Sequence, residues 1–118
     1  MAYLRGSWQR HEELKAELLA NPELLGIAKK DVIEIQEEYP LSRRKRTVFA
    51  RPDLSITYRC ERGICRTFVE IKSGNCKRAR QNLAWQLAKI NKFIRHHNLH
   101  ASAVGVCPSA SGLELIVL

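Results

Sequence analysis

The segment from Arg51 to Lys72 constrains the fold most, because it contains two strand patterns joined by a turn. Apolar and polar side chains alternate over residues 54–60, as they do in a strand with one buried face. A turn containing glycine follows, and residues 65–71 form a second strand pattern. The segment therefore predicts a β-hairpin with its tip at Arg62-Gly63.

This predicted hairpin brings three ionisable side chains together. With the tip at Arg62-Gly63, Asp53 falls opposite Lys72 and diagonal to Glu70. Glu70 and Lys72 are two residues apart on one strand, so they share a face, and the apolar residues beside them point to the other face. Alternating charges at a strand end are often only a solvated face, but Pro-Asp at hairpin spacing favours a site. The sequence predicts two carboxylates and an ammonium converging on one side of the sheet.

Length and charge suggest one basic domain over residues 1–118. Lys and Arg number 20 against 12 Asp and Glu, which gives a net charge of +8 and a pI near 9.7. Such a surface favours a polyanionic partner, although many basic proteins bind nucleic acid without cutting it. The run Arg43, Arg44, Lys45 and Arg46 predicts either a solvated loop or a grip on a nucleic-acid backbone.

Hydropathy and cysteine usage point to an intracellular, cytoplasmic protein with no membrane partner. No stretch approaches the roughly 18 apolar residues of a membrane span, and the amino terminus lacks the apolar run of a signal peptide. The four cysteines show no Cys-x-x-Cys spacing, so a zinc site is not expected. Cys60 and Cys65 face each other across the predicted hairpin, where a disulfide is the alternative, but an intracellular location favours free thiols.

Two helices are predicted, one on each side of the hairpin in sequence. The first covers residues 7–20, with Ser7 as N-cap and Asn21-Pro22 ending it. Its apolar arc includes Trp8 and His11, and Glu12 lies at the edge of that arc, either as a surface residue or within reach of the sheet. The arc consists of Leu4, Trp8, His11, Leu14, Leu18 and Leu19.

The second helix starts after Ser73-Gly74-Asn75 and extends to about His97. Gln86 lies inside its apolar arc and must find a hydrogen-bond partner, either in the backbone at the rim of the core or in a bound water or phosphate. The opposite face carries a basic stripe that suits phosphates, made of Lys77, Arg78, Lys89, Lys92 and Arg95. Further strands are predicted over residues 31–39, 101–107 and 113–118.

The order helix, strand, hairpin, helix, strand, strand predicts an α/β fold: a mixed sheet with a helix against each face. Pro52-Asp53 with Glu70-Ile71-Lys72 resembles the PD-(D/E)XK nuclease superfamily, which has the restriction-endonuclease-like fold. Residues 11–25 look like the opening of the catalytic domain of NucS-type archaeal endonucleases, and residues 84–87 resemble the glutamine motif of that family. Small archaeal Holliday junction resolvases are similar in size and layout.

The resemblance implies a metal-dependent DNA endonuclease acting on branched or structured DNA. Asp53, Glu70 and the backbone carbonyl of Ile71 would hold Mg²⁺ or Mn²⁺, and Lys72 would orient or deprotonate the attacking water. Glu12 would be the helix-borne acid, with Glu13 as the alternative, and Gln86 would assist from the second helix. The alternative function is a non-catalytic nucleic-acid-binding module that retains the fold.

The sequence also predicts a homodimer. Cutting two strands needs two sites, and two-fold symmetry is the commonest way to supply them. The apolar residues 113–118 are more apolar than a monomer exposes, which predicts pairing through this segment. The alternative is that the same residues fill the core as an internal strand.

Overall fold

The structure is a computed structural model that describes residues 7–44 and 47–118, without the side chains of residues 43–49. Two short 3-10 helices, Pro22–Leu25 and Lys29–Asp31, follow the first α-helix. The main elements are α1 (Trp8–Ala20), β1 (Val32–Glu37), β2 (Leu41–Arg44), β3 (Thr47–Ala50), β4 (Leu54–Cys60), β5 (Gly63–Ile71), α2 (Lys77–His96), β6 (Ala101–Ser109) and β7 (Gly112–Ile116).

Five of these strands form one mixed sheet in the order β1-β4-β5-β6-β7. β5 and β6 are parallel because α2 carries the chain back across the sheet between them, and the other neighbours are antiparallel. The predicted α/β class with a mixed sheet and two helices is therefore confirmed. In the part of the chain that the structure describes, neither α-helix combines the length and the apolar character needed to cross a membrane.

Strands β2 and β3 form a separate two-stranded ribbon that the sequence analysis did not predict. The expectation of a solvated loop is wrong for Arg43 and Arg44, because both belong to β2. Leu41 starts this strand and is buried in the α2-side core, so it anchors the ribbon to the domain. Lys45 and Arg46 lie outside the described residues.

The predicted hairpin exists, but its tip lies at Glu61-Arg62, and the predicted register is wrong by two residues. Leu54 pairs with Val69 at one end of the ladder and Cys60 with Gly63 at the other. Gly63 has a φ of 106°, a left-handed conformation that suits glycine directly after a tight two-residue turn. Side chains alternate between the two faces of a sheet with a period of two, so a register shift of two residues leaves each side chain on its predicted face.

The apolar core is divided between the two faces of the sheet. On one face, Leu14 and Leu18 of α1 pack with the strand residues Leu54, Ile56, Val69, Ile71, Val104 and Val106. On the other face, Phe68, Ala103 and Cys107 pack against α2. The predicted apolar arc of α2 is confirmed by its buried residues Leu83, Leu87, Ile90, Phe93 and Ile94.

The predicted arc of α1 is only partly correct. The hydroxyl of Ser7 accepts the N–H of Arg10 at 3.0 Å, so the N-cap is confirmed, and the helix ends at Ala20 as expected. Trp8, however, is 79% exposed, and the buried residues of α1 begin at Leu14. The first turns of α1 therefore extend beyond the apolar contact with the sheet.

Glycine at position 105 allows α2 to approach the sheet closely. A Cβ placed on Gly105 would lie 2.8 Å from Leu83, shorter than any ordinary contact. Gly105 pairs with Glu70 across the parallel β5–β6 ladder. The turn of α2 around Leu83 is thus level with Glu70.

Cys60 and Cys65 form a disulfide, so the expectation of free thiols is wrong for this pair. The observed register places the two residues diagonally on neighbouring strands, with a Cα–Cα separation of 6.1 Å that a disulfide spans. Cys76 and Cys107 are free.

The closing strand β7 is an edge strand, which contradicts the alternative that it is internal. It pairs with β6 and ends at Ile116, two residues earlier than predicted. Leu113 and Ile116 pack partly against the two core clusters, whereas Leu115, Val117 and Leu118 are exposed.

Candidate active site

Asp53 lies immediately before β4, and both oxygens of its carboxylate have partners. Oδ2 accepts the backbone N–H of Ile71 at 2.7 Å, just past the last pair of the β4–β5 ladder. Oδ1 lies 3.1 Å from Nε2 of His11 on α1. The end of β5 and the first turns of α1 therefore fix the orientation of this carboxylate together.

Glu70 is a buried carboxyl in contact with Asp53. It lies on β5, on the same side as Phe68, and is only 9% exposed. Burial, the charge of Asp53 and a hydrogen bond between the two carboxyls raise the pKa of Glu70, against the lowering effect of the Lys72 and Lys89 charges, to about 9. The observed register, continued by one pair beyond Leu54 and Val69, puts Asp53 opposite Glu70 and not opposite Lys72 as predicted.

Lys72 follows β5 directly and lies close to the carboxyl pair. Its backbone N–H donates to the carbonyl of Val106 at 2.9 Å, which fixes the backbone beside Glu70. The charge of its ammonium lowers the pKa of Glu70, as expected of a cation near that carboxyl. The structure thus brings Asp53, Glu70 and Lys72 together, although the catalytic roles assigned to them stay predictions.

The structure distinguishes Glu12 from Glu13. Glu12 accepts from Nζ of Lys15 at 3.0 Å, which lowers the pKa of Glu12, and its Oε2 lies 3.3 Å from Nδ1 of His11. Glu13 is exposed and accepts a hydrogen bond from Gln9. Glu12 is therefore the acid of α1 on the side of Asp53.

A cavity of about 540 Å³ lies between α1 and Asp53. Its lining includes Asp53 and Glu12, and Lys15 in its wall also contacts Glu37 of β1 at 2.8 Å. The amide N–H of Ser7 donates to the hydroxyl of Ser73, which ties the start of α1 to the loop after Lys72. The complete lining is Ser7, Trp8, His11, Glu12, Lys15, Glu38, Asp53 and Ser73.

His11 is a site residue that was not predicted from the sequence, where it falls in the apolar arc of α1. In the structure the imidazole connects Glu12 to Asp53, with its Nδ1 at 3.3 Å from one carboxylate and its Nε2 at 3.1 Å from the other. Its position next to Glu12 was the one sequence feature that indicated a role for His11 in the site. Only the approach of α1 to the sheet end reveals the contact with Asp53.

Gln86 is half-buried on α2, and its Oε1 is buried with no hydrogen-bond partner among the described residues. The hydroxyl of Ser55, which lies beside Phe68 on the same face of the sheet, is also buried without a hydrogen-bond partner among the described residues. Buried polar atoms without partners cost stability and occur preferentially at functional sites. The backbone-bonded alternative for Gln86 Oε1 is therefore not observed.

The predicted nucleic-acid-binding residues fall into two groups. Lys77 and Arg78 are exposed in the first turn of α2, shortly after Lys72 in the chain. The backbone of Arg43 and Arg44 belongs to the β2–β3 ribbon, while Lys45 and Arg46 lie outside the described residues. A role in binding phosphates stays a prediction for both groups.

The donor set at this site fits Mg²⁺ or Mn²⁺. Within residues 7–44 and 47–118, no cluster of three or more His, Cys, Asp or Glu side chains has the arrangement of a metal site. Mg²⁺, however, is usually held by one or two carboxylates together with substrate phosphates, and it keeps several waters. Asp53 and Glu70 supply two carboxyls in contact, and a divalent cation bound by both would favour the ionised form of Glu70.

No family model, curated protein or solved structure that was compared with the chain matches it. The functional interpretation therefore rests on the chemistry of the site.

Proposed function

We propose that this chain is a metal-dependent DNA endonuclease with the restriction-endonuclease-like topology of the PD-(D/E)XK superfamily. The observation that carries the proposal is the contact between the carboxyls of Asp53 and Glu70 at the end of the hairpin, with Lys72 beside them. A bound Mg²⁺ or Mn²⁺ would neutralise charge on the scissile phosphate and lower the pKa of the attacking water. Asp53 and Glu70 would hold this cation, with the carbonyl of Ile71 as a further ligand.

The surrounding residues supply positioning and charge. Lys72 places a cation next to the pair, where it stabilises negative charge that develops on the phosphate oxygens and orients the attacking water. Glu12 and His11 hold Asp53 from the α1 side, and Gln86 presents a buried amide oxygen from the α2 side. The net charge of +8 favours a polyanionic substrate, which is branched or otherwise structured DNA in this proposal.

A non-catalytic nucleic-acid-binding module is the second candidate, supported by the basic composition alone. A module of that kind needs exposed cations and gains nothing from two carboxyls in contact, one of them buried, because burying a polar group costs folding free energy. The buried acid pair therefore favours the nuclease.

Cleavage of linear, flapped and four-way DNA in Mg²⁺, Mn²⁺ and EDTA tests the proposal. Wild-type protein should cut at least one substrate in either metal and none in EDTA. Asp53→Asn and Lys72→Ala should abolish cutting while the variants stay folded and bind DNA, and the exposed Glu13→Gln should cut normally. Full activity of a purified Asp53→Asn or Lys72→Ala protein would overturn the assignment.

We further propose a homodimer paired through β7. This strand has a free edge within the described sheet; Leu115 in it is 41% exposed, and Val117 and Leu118 directly after it are 72% and 60% exposed. An apolar edge strand is a ready template for pairing with a second copy. Light scattering at micromolar concentration should give twice the chain mass of 13.5 kDa, and Leu115→Lys should return the protein to the monomer mass. A monomer mass for the wild type would refute the dimer.

A further inference from the structure

The only two tryptophans of the sequence, Trp8 and Trp85, both have mostly exposed rings. Their exposed fractions are 79% and 66%, although tryptophan is on average among the well-buried residue types. Trp8 belongs to α1 and Trp85 to α2, the helices that pack on opposite faces of the sheet. Trp8 lines the cavity that contains Asp53, and Trp85 contacts Lys89, whose charge acts on Glu70.

Trp8 adjoins the pair from the α1 side. It lines the cavity of about 540 Å³ together with His11, Glu12 and Asp53. The loop after Lys72 fixes this end of α1, because the hydroxyl of Ser73 accepts the amide N–H of Ser7, the residue before Trp8. The ring is therefore held at the mouth of the site.

Trp85 is connected to the pair from the α2 side through Lys89. The ammonium of Lys89 lies 4.8 Å from the centroid of the Trp85 ring, and its charge also reaches Glu70. The same lysine thus interacts with the Trp85 ring and with the charge of the buried carboxyl.

We propose that Trp8 and Trp85 are stacking platforms for unpaired bases of the substrate strand, one on each side of the phosphate that is cut. This inference rests on the proposed nuclease function and specifies its substrate: single-stranded or locally unpaired DNA. Aromatic side chains stack on bases of any sequence, but the faces of paired bases are covered inside a duplex. The Lys89 charge above Trp85 adds attraction for the adjoining phosphates.

Tryptophan emission in EDTA tests the stacking separately from any cleavage. Titration with a single-stranded oligothymidine should quench the emission of wild-type protein, and an abasic oligonucleotide of equal length should not, because it carries the same phosphates without bases. Trp8→Ala and Trp85→Ala should each weaken oligothymidine binding about 5- to 100-fold and leave abasic binding unchanged. Trp8→Phe should retain most of the affinity. Ile64→Ala is the matched control, since Ile64 is 62% exposed near the other end of β5.

The outcomes separate this inference from the proposed function. Base-dependent quenching without cleavage in any metal would support the platforms and refute the nuclease. Cleavage that neither Trp8→Ala nor Trp85→Ala affects on single-stranded or flapped DNA would support the nuclease and overturn the platforms. Emission that changes on concentrating the protein alone, and not on adding oligonucleotide, would assign the rings to a protein interface and also overturn the inference.

Discussion

Replacing Glu70 by glutamine should stabilise the metal-free protein at pH 8 and abolish its cleavage of DNA. The glutamine amide has nearly the shape of the protonated carboxyl and also donates a hydrogen bond to Asp53, but it carries no charge. Wild-type Glu70 must either keep a proton or bury a second negative charge beside Asp53. The same group would therefore be unfavourable for folding and required for holding the cation, which is a common trade-off at catalytic sites.

The magnitude follows from proton linkage. Folding raises the pKa of Glu70 from an ordinary 4.5 to about 9, so the folded state holds a proton that the unfolded state releases. Its stabilising contribution is complete below pH 4.5 and is lost as the pH rises towards 9. Each pH unit in this window costs about 1.4 kcal/mol, hence about 3 kcal/mol between pH 6 and pH 8. For a domain of this size, that lowers the midpoint of thermal unfolding by about 10 °C.

Thermal unfolding in EDTA at pH 6, 7 and 8 measures the effect. The midpoint of the wild type should fall across this range, and that of Glu70→Gln should stay nearly level. Millimolar Mg²⁺ should raise the wild-type midpoint at pH 8 and leave that of Glu70→Gln unchanged, because the variant lacks a ligand. Glu13→Gln, at an exposed glutamate, is the matched control and should follow the wild type. Equal pH dependence in wild type and Glu70→Gln would refute the buried, carboxyl-paired state of Glu70.

Two further experiments test the close approach of α2 to the sheet and the disulfide of the hairpin. Gly105→Ala should lower the free energy of unfolding, measured by urea titration, by about 1–3 kcal/mol, because the new methyl group overlaps Leu83. The double variant with Leu83→Ala should lose less stability than the sum of the two single variants. Additive losses would contradict the close approach of α2 to the sheet. Replacing Cys60 and Cys65 by serine should cost about 2 kcal/mol, the value expected for a short closed loop, whereas Cys76→Ser should cost little. Four titratable thiols in the unfolded, unreduced wild type would contradict the disulfide.

Local pattern in the sequence determined the elements that carry the candidate site. Alternation over β4 and β5 assigned Glu70 to the face opposite Val69 and Ile71, and this assignment survived the error in register because the pleat repeats every two residues. The helical period likewise predicted the buried face of α2. Which face of a strand or helix is apolar depends on residues only a few positions apart, so it can be predicted from the sequence.

Tertiary structure decided the remaining features. The turn at Glu61-Arg62 set the pairing, and the packing of α1 brought His11 to Asp53 while leaving Trp8 exposed. The β2–β3 ribbon depends on strand pairing and on a buried Leu41, which outweigh the loop-like composition of its basic run. Each outcome rests on contacts between segments far apart in the chain. The periodicity of one segment shows which face is apolar, but not which residue of another segment will meet it.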